Sequence, residues 1–70
     1  MDAYEQEVID ILAANSNELT YPALLENVAG ENRKHIRRTL VNLKARGLIS
    51  RRNEFDKENG VVLSYVTKVG

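Results

Sequence analysis

The sequence predicts an α+β fold in which three helices are followed by a β-hairpin. Three observations predict it. Apolar residues recur at helical spacing from Tyr4 to Leu43. Breakers at Asn15-Ser16-Asn17, Gly30 and Gly47 cut that stretch into three. Beyond Gly47 the period changes, and residues 48–55 and 61–69 form two β-prone segments around an Asn59-Gly60 turn signal.

Each element has its own local reason. In residues 2–14, Tyr4, Val8, Ile11 and Leu12 fall on one helical face, and Asp2 is placed to cap the helix at its positive end. The acids of this helix read as its solvated face. Residues 18–20 form a short connection with the character of a strand. Thr20 reads as the N-cap of a second, short helix. Pro22 stands in its first turn, Leu24, Leu25 and Val28 are its apolar residues, and Gly30 is placed to stop it. Asn32 is the expected cap of a third helix running from about residue 33 to 46, ended by Gly47.

Seventy residues make one domain with a small core, since a chain of this size buries only roughly 60% of the surface it exposes when unfolded. A deep, walled active site is not expected, and the chain reads as a binding protein, not an enzyme. There is no Cys, which excludes disulfides, thiolate metal sites and cysteine nucleophiles. His35 is the only histidine, and no spacing supports a catalytic triad or a phosphate-binding loop. No cofactor, metal or small-molecule ligand is expected. The longest apolar run, Ile11-Leu12-Ala13-Ala14, is far too short for a membrane span, and the acidic start does not read as a leader. The expectation is a soluble, cytoplasmic protein with no membrane partner.

Net charge is zero, but its distribution is uneven. The first 32 residues carry Asp2, Glu5, Glu7, Asp10, Glu18, Glu26 and Glu31 and no base. Residues 33–52 carry Arg33, Lys34, Arg37, Arg38, Lys44, Arg46, Arg51 and Arg52 and no acid. A local positive field of this kind suits a polyanion.

The third helix concentrates it. At about 100° per residue, Ile36, Leu40 and Leu43 share a narrow apolar face. Lys34, Arg37, Arg38, Val41 and Ala45 lie opposite, with Lys44 near them. No Glu is interleaved to support the bases. Basic residues separated by small ones are what a helix needs in a major groove. There Arg or Lys bonds guanine, and a small apolar group such as Val41 touches the thymine methyl.

The stretch from Ile36 to Ile49, Ile-Arg-Arg-Thr-Leu-Val-Asn-Leu-Lys-Ala-Arg-Gly-Leu-Ile, and the closing Tyr65-Val66-Thr67-Lys68-Val69-Gly70 resemble the winged helix-turn-helix domain of small prokaryotic transcriptional regulators. The resemblance covers nearly the whole chain. It implies a winged helix: a three-helix bundle with a helix-turn-helix over residues 20–46, followed by a C-terminal β-hairpin wing. The implied partner is double-stranded DNA, with the third helix in the major groove and the wing along the backbone or in the minor groove. The DNA-binding set carried over is Asn32, Arg33, Lys34, Arg37, Arg38 and Val41 from the third helix, with Thr20 and Tyr21 at the start of the second. The wing adds Arg51, Arg52 and Lys57. Strand alternation puts Arg51 and Arg52 on opposite faces, so at most one of them points at DNA. Glu54, Asp56 and Glu58 would repel phosphates if they faced them. Many relatives dimerise through a helix after the closing strand. Here the expected assembly is a monomer or a homodimer built otherwise, for example through the first helix.

The implied function is sequence-specific DNA binding by a transcriptional regulator, most simply a repressor. The competing reading is a winged-helix protein-interaction module within a larger complex. The all-basic third helix favours DNA, and the lack of paired exposed aromatics disfavours single-stranded nucleic acid.

Overall fold

The computed structural model describes all 70 residues. It is an α+β fold of four helices and a three-stranded antiparallel sheet. The elements are α1 (Ala3–Ala14), β1 (Glu18–Thr20), α2 (Tyr21–Asn27), α3 (Gly30–Arg33), α4 (Ile36–Ala45), β2 (Ile49–Asp56) and β3 (Val61–Lys68). No helix is long and apolar enough to cross a membrane.

The boundaries follow from local chemistry. Asp2 and Glu5 form a reciprocal capping box, in which the Glu5 amide donates to Asp2 and the Asp2 amide donates to Glu5. At the other end Ser16 and Asn17 take the left-handed conformation, and the Asn17 amide returns to the Leu12 carbonyl. The Thr20 hydroxyl accepts the Ala23 amide and caps α2, with Pro22 in the first turn. Gly47, at φ 73°, ends α4: its amide donates to Lys44 and the Leu48 amide reaches back to Leu43.

β3 is the central strand, in the order β1-β3-β2. Its register with β2 runs from Ile49↔Lys68 to Asp56↔Val61, and with β1 from Glu18↔Thr67 to Thr20↔Tyr65. The hairpin turn is held by Asp56, whose carboxylate accepts the Glu58 and Asn59 amides. The core is Val8 and Leu12 of α1, Leu24 of α2 with the adjoining Val28, Ile36, Leu40 and Leu43 of α4, Ile49 of β2 and Val66 of β3. Each such burial contributes roughly 2 kcal/mol of transfer free energy.

Four sequence expectations are corrected. The third helix is two helices, with α4 beginning at Ile36 instead of residue 33, so the helices number four and not three. The break falls at His35 (φ −110°, ψ 6°), between the turn that carries Asn32 and the face that carries Ile36. Asn32 is not a cap. It is buried, and its amide donates to the Tyr4 carbonyl and the Glu7 carboxylate of α1. Gly30 does not stop α2. That helix ends at Asn27, and Gly30 is the first residue of α3. The acids of α1 are not all solvated: Glu5 is buried and lies against Arg46, and Glu7 holds Asn32 and the Ala29 amide.

Candidate nucleic-acid interface

The candidate interface is built on α4. Ile36, Thr39, Leu40 and Leu43 are drawn into the core, so helical geometry turns Arg37, Arg38, Val41, Lys44 and Ala45 outward. Val41 is 66% exposed. Arg37, Arg38 and Lys44 make no ion pair or side-chain hydrogen bond within the fold.

The hairpin forms the second wall. Alternation along β2 puts Arg51 on the same face as buried Ile49. Its guanidinium lies 5.5 Å over the Tyr21 ring and donates to the Ser64 hydroxyl at 2.8 Å. Its Nε is buried without a partner. Between α4 and the hairpin runs a groove lined by Tyr21, Arg37, Leu40, Val41, Arg51 and Ser64, continuing past Lys44, Arg52 and Asn53. A wider hollow along α1, at Tyr4, Glu7, Asp10, Ile11 and Ala14, contains no base.

The opposite face of the sheet is self-contained. Arg52 binds both carboxylate oxygens of Glu18 and reaches Glu54, and its guanidinium stacks 4.3 Å over the Tyr65 ring. The Thr67 hydroxyl donates to Glu18 at 2.6 Å. The bond from Arg52, then that from Thr67, holds the Glu18 carboxyl below its usual range, and the bonds to Glu18, then Glu54, keep Arg52 firmly charged. Asp56 is likewise held low, first by the Asn59 side-chain amide and then by the turn amides.

The expected site residues therefore divide. Tyr21, Arg37, Val41 and Arg51 meet in the groove. Arg38 stands beside it on α4. On that flank it shares a polar hollow with Asp2, Tyr4, His35, Thr39 and Asn42, where the Tyr4 and His35 rings stack at 5.2 Å. Lys34 is exposed at the end of α3, 3.9 Å from Glu31. Lys57 is exposed in the hairpin turn.

The remaining expected residues are committed elsewhere. Thr20 spends its hydroxyl on the α2 cap. Asn32 is 1% exposed. Arg33 donates to the Leu25 and Val28 carbonyls and so closes the C-terminal end of α2. Arg52 borders the groove beside Asn53, but its guanidinium belongs to the Glu18 network on the far face.

Lys44, Asn53 and Ser64 line the groove and were not in the expected set. Two of them had a signal: Lys44 lies beside the basic face of the helix, and Asn53 is two residues after Arg51 on the same strand face. No group of three or more His, Asp and Glu side chains converges on a point suited to a metal ion. Comparison with protein-family models, curated proteins and solved structures gives no match.

Proposed function

We propose that the chain is a winged helix that binds double-stranded DNA in a sequence-specific way, as a small cytoplasmic transcriptional regulator acting by repression. In this reading α2 to α4 are the helix-turn-helix, α4 enters the major groove, and the β2–β3 hairpin is the wing. One observation carries the reading. The bases that the fold uses, Arg33, Arg46 and Arg52, point into structural contacts. Of the bases it leaves free, Arg37, Arg38 and Lys44 gather with Val41 on the outer face of α4, and Lys57 stands apart in the hairpin turn.

Bases left unpaired on one helix repel one another, and a polyanion relieves that repulsion. Arg37, Arg38 and Lys44 supply guanine and phosphate contacts, and Val41 is placed for a thymine methyl. Arg51, half-buried against Tyr21, supplies a fixed charge at the back of the groove.

The test is selection from random-sequence duplex DNA at moderate salt. An enriched sequence supports the proposal, and a palindrome would add a two-fold dimer. Retention without enrichment would reduce the function to backbone binding. No retention at low salt would overturn the proposal in favour of a protein-interaction module.

A further inference from the structure

β2 is an open edge of the sheet, since β3 lies between it and β1. The other edge, β1, is three residues long, whereas β2 has eight. A long edge offers its backbone to another strand unless something blunts it. β2 contains no Pro, Gly or Lys, and no bulge interrupts its register with β3. From Arg52 to Phe55 it is exposed.

The ladder fixes which backbone groups face outward. The Val69 amide donates to the Leu48 carbonyl, and these two stand one position beyond Ile49↔Lys68 in the same register. Antiparallel pairs alternate between bonded and non-bonded. Leu48, Ser50, Arg52 and Glu54 therefore bond toward β3, and the amides and carbonyls of Arg51, Asn53 and Phe55 point to the open edge.

The side chains select the partner. A second copy that pairs antiparallel at this edge is related by a two-fold axis normal to the sheet, so opposed residues share a sheet face. An axis through Arg51 or Arg52 sets arginine against arginine, and an axis through Glu54 or Phe55 sets acid against acid. Of the positions from Arg51 to Phe55, Asn53 alone gives an axis that opposes no like charges. There Arg52 faces the partner's Glu54 and Arg51 faces the partner's Phe55, each twice by symmetry. The Arg52–Glu54 pair is of the non-bonded kind, with Cα atoms about 4.5 Å apart, which brings side chains closest. Phe55 and its cross-strand neighbour Val62 are 62% and 65% exposed. In this register the Phe55 ring is covered by the apolar stem of the partner's Arg51.

We propose that the β2 edge is a homodimer interface, in which two copies of the chain pair β2 with β2, antiparallel and centred on Asn53, and join two three-stranded sheets into one. The occupant is a second copy because the strand is complementary to itself. The contact is independent of the duplex-binding reading. Pairing runs only from Ser50 to Asp56 in each copy, so the interface is small and the dimer is reversible and concentration-dependent.

Sedimentation velocity of the full chain, without DNA and over a concentration series, reads the dimer. The expected result is a rise from one chain to two with concentration. Asn53→Pro abolishes that rise. Its missing amide faces the edge, so the bonds to β3 remain and the variant melts close to the wild type. Glu54→Lys sets a base against the partner's Arg52 and weakens dimerisation about tenfold. Because the chain lacks Cys, single cysteines report the register. Oxidation of Asn53→Cys links two copies across the axis, whereas Ser50→Cys, opposed by the partner's Asp56, stays unlinked.

A wild type that remains a single chain at every concentration would overturn the inference. So would a dimer that survives Asn53→Pro, which assigns self-association to another face such as the hollow along α1. If Asn53→Pro fails to fold, Glu54→Lys decides in its place, and an unchanged dimer overturns the pairing. Equal cross-linking of the two cysteine variants overturns the register.

Discussion

Arg46, just past the last turn of α4, lies against the buried carboxylate of Glu5 in the first turn of α1. Glu5 also completes the capping box with Asp2. One side chain thus closes the start of α1 and ties it to the end of α4. Arg46→Ala removes the cation from that buried carboxylate and leaves it only the Asp2 amide, and because Arg46 is half-exposed the expected loss is about 2 kcal/mol. A shifted urea midpoint with an unchanged slope measures it. Duplex affinity changes little once the fold is restored by lower temperature, because Arg46 is not on the free face of α4.

Asn32 separates a structural from a DNA-contact role. Asn32→Ala removes the bonds to Tyr4 and Glu7, with an expected cost of about 2 kcal/mol. Asn32→Asp sets a second carboxylate against Glu7 and costs about 3 kcal/mol or more at neutral pH, with part of it recovered in acid as one carboxyl is protonated. Thermal melts at two pH values check this. A variant that melts normally but fails to bind DNA would contradict the structural role.

Two glycines respond in opposite ways. Gly47→Ala forces a side chain onto a left-handed backbone at φ 73°, where no neighbour lies within 4 Å, so the cost is purely conformational and about 1 kcal/mol. Gly30 has no positive φ and equally open surroundings, and it begins a helix. Gly30→Ala therefore stabilises by roughly 0.5 kcal/mol through the unfolded chain. Paired denaturation curves show both signs.

The far face of the sheet makes the fold acid-sensitive. Glu18 and Asp56 both have folded-state pKa values below their ordinary 4.5 and 3.8. A depressed folded pKa stabilises fully above the ordinary value and is lost as pH falls through the folded one. The melting temperature should therefore be flat above about pH 5 and fall below it. Glu18→Gln should flatten the acid limb, and Arg52→Ala should do the same while leaving duplex affinity unchanged.

Under the proposed duplex binding, its salt dependence tests which bases touch phosphate. With roughly six phosphates neutralised, the log–log slope is about −5. Arg37→Ala with Arg38→Ala should weaken binding strongly and reduce the slope by one to two. Arg33→Ala should change stability instead, because it opens the end of α2. Fluorescence anisotropy over a salt series gives the slopes.

The sequence by itself determined the α+β class, the hairpin and its Asn59-Gly60 turn, the caps at Asp2 and Thr20, the stop at Gly47 and the inward row Ile36, Leu40, Leu43. These depend on interactions within a few residues, where periodicity and turn chemistry are decisive. It also separated Arg51 from Arg52, since alternation along a strand is local. Which of the two faces α4 was settled by the pairing of β3 with both β1 and β2, because only that pairing brings Glu18 to Arg52 and Tyr21 to Arg51.

The fate of the other expected contacts was likewise a tertiary matter. Asn32 looks like a cap by its neighbours, but its partners Tyr4 and Glu7 are 28 and 25 residues away. Burial of that amide replaces the first turn of the expected third helix with α3 and a break at His35. Among the bases, composition alone cannot tell Arg37 from Arg33, Arg46 or Arg52. Only the folded chain decides which cations are consumed by carbonyls and carboxylates brought from elsewhere and which remain unpaired on α4, since a charge is free only with respect to what packs around it.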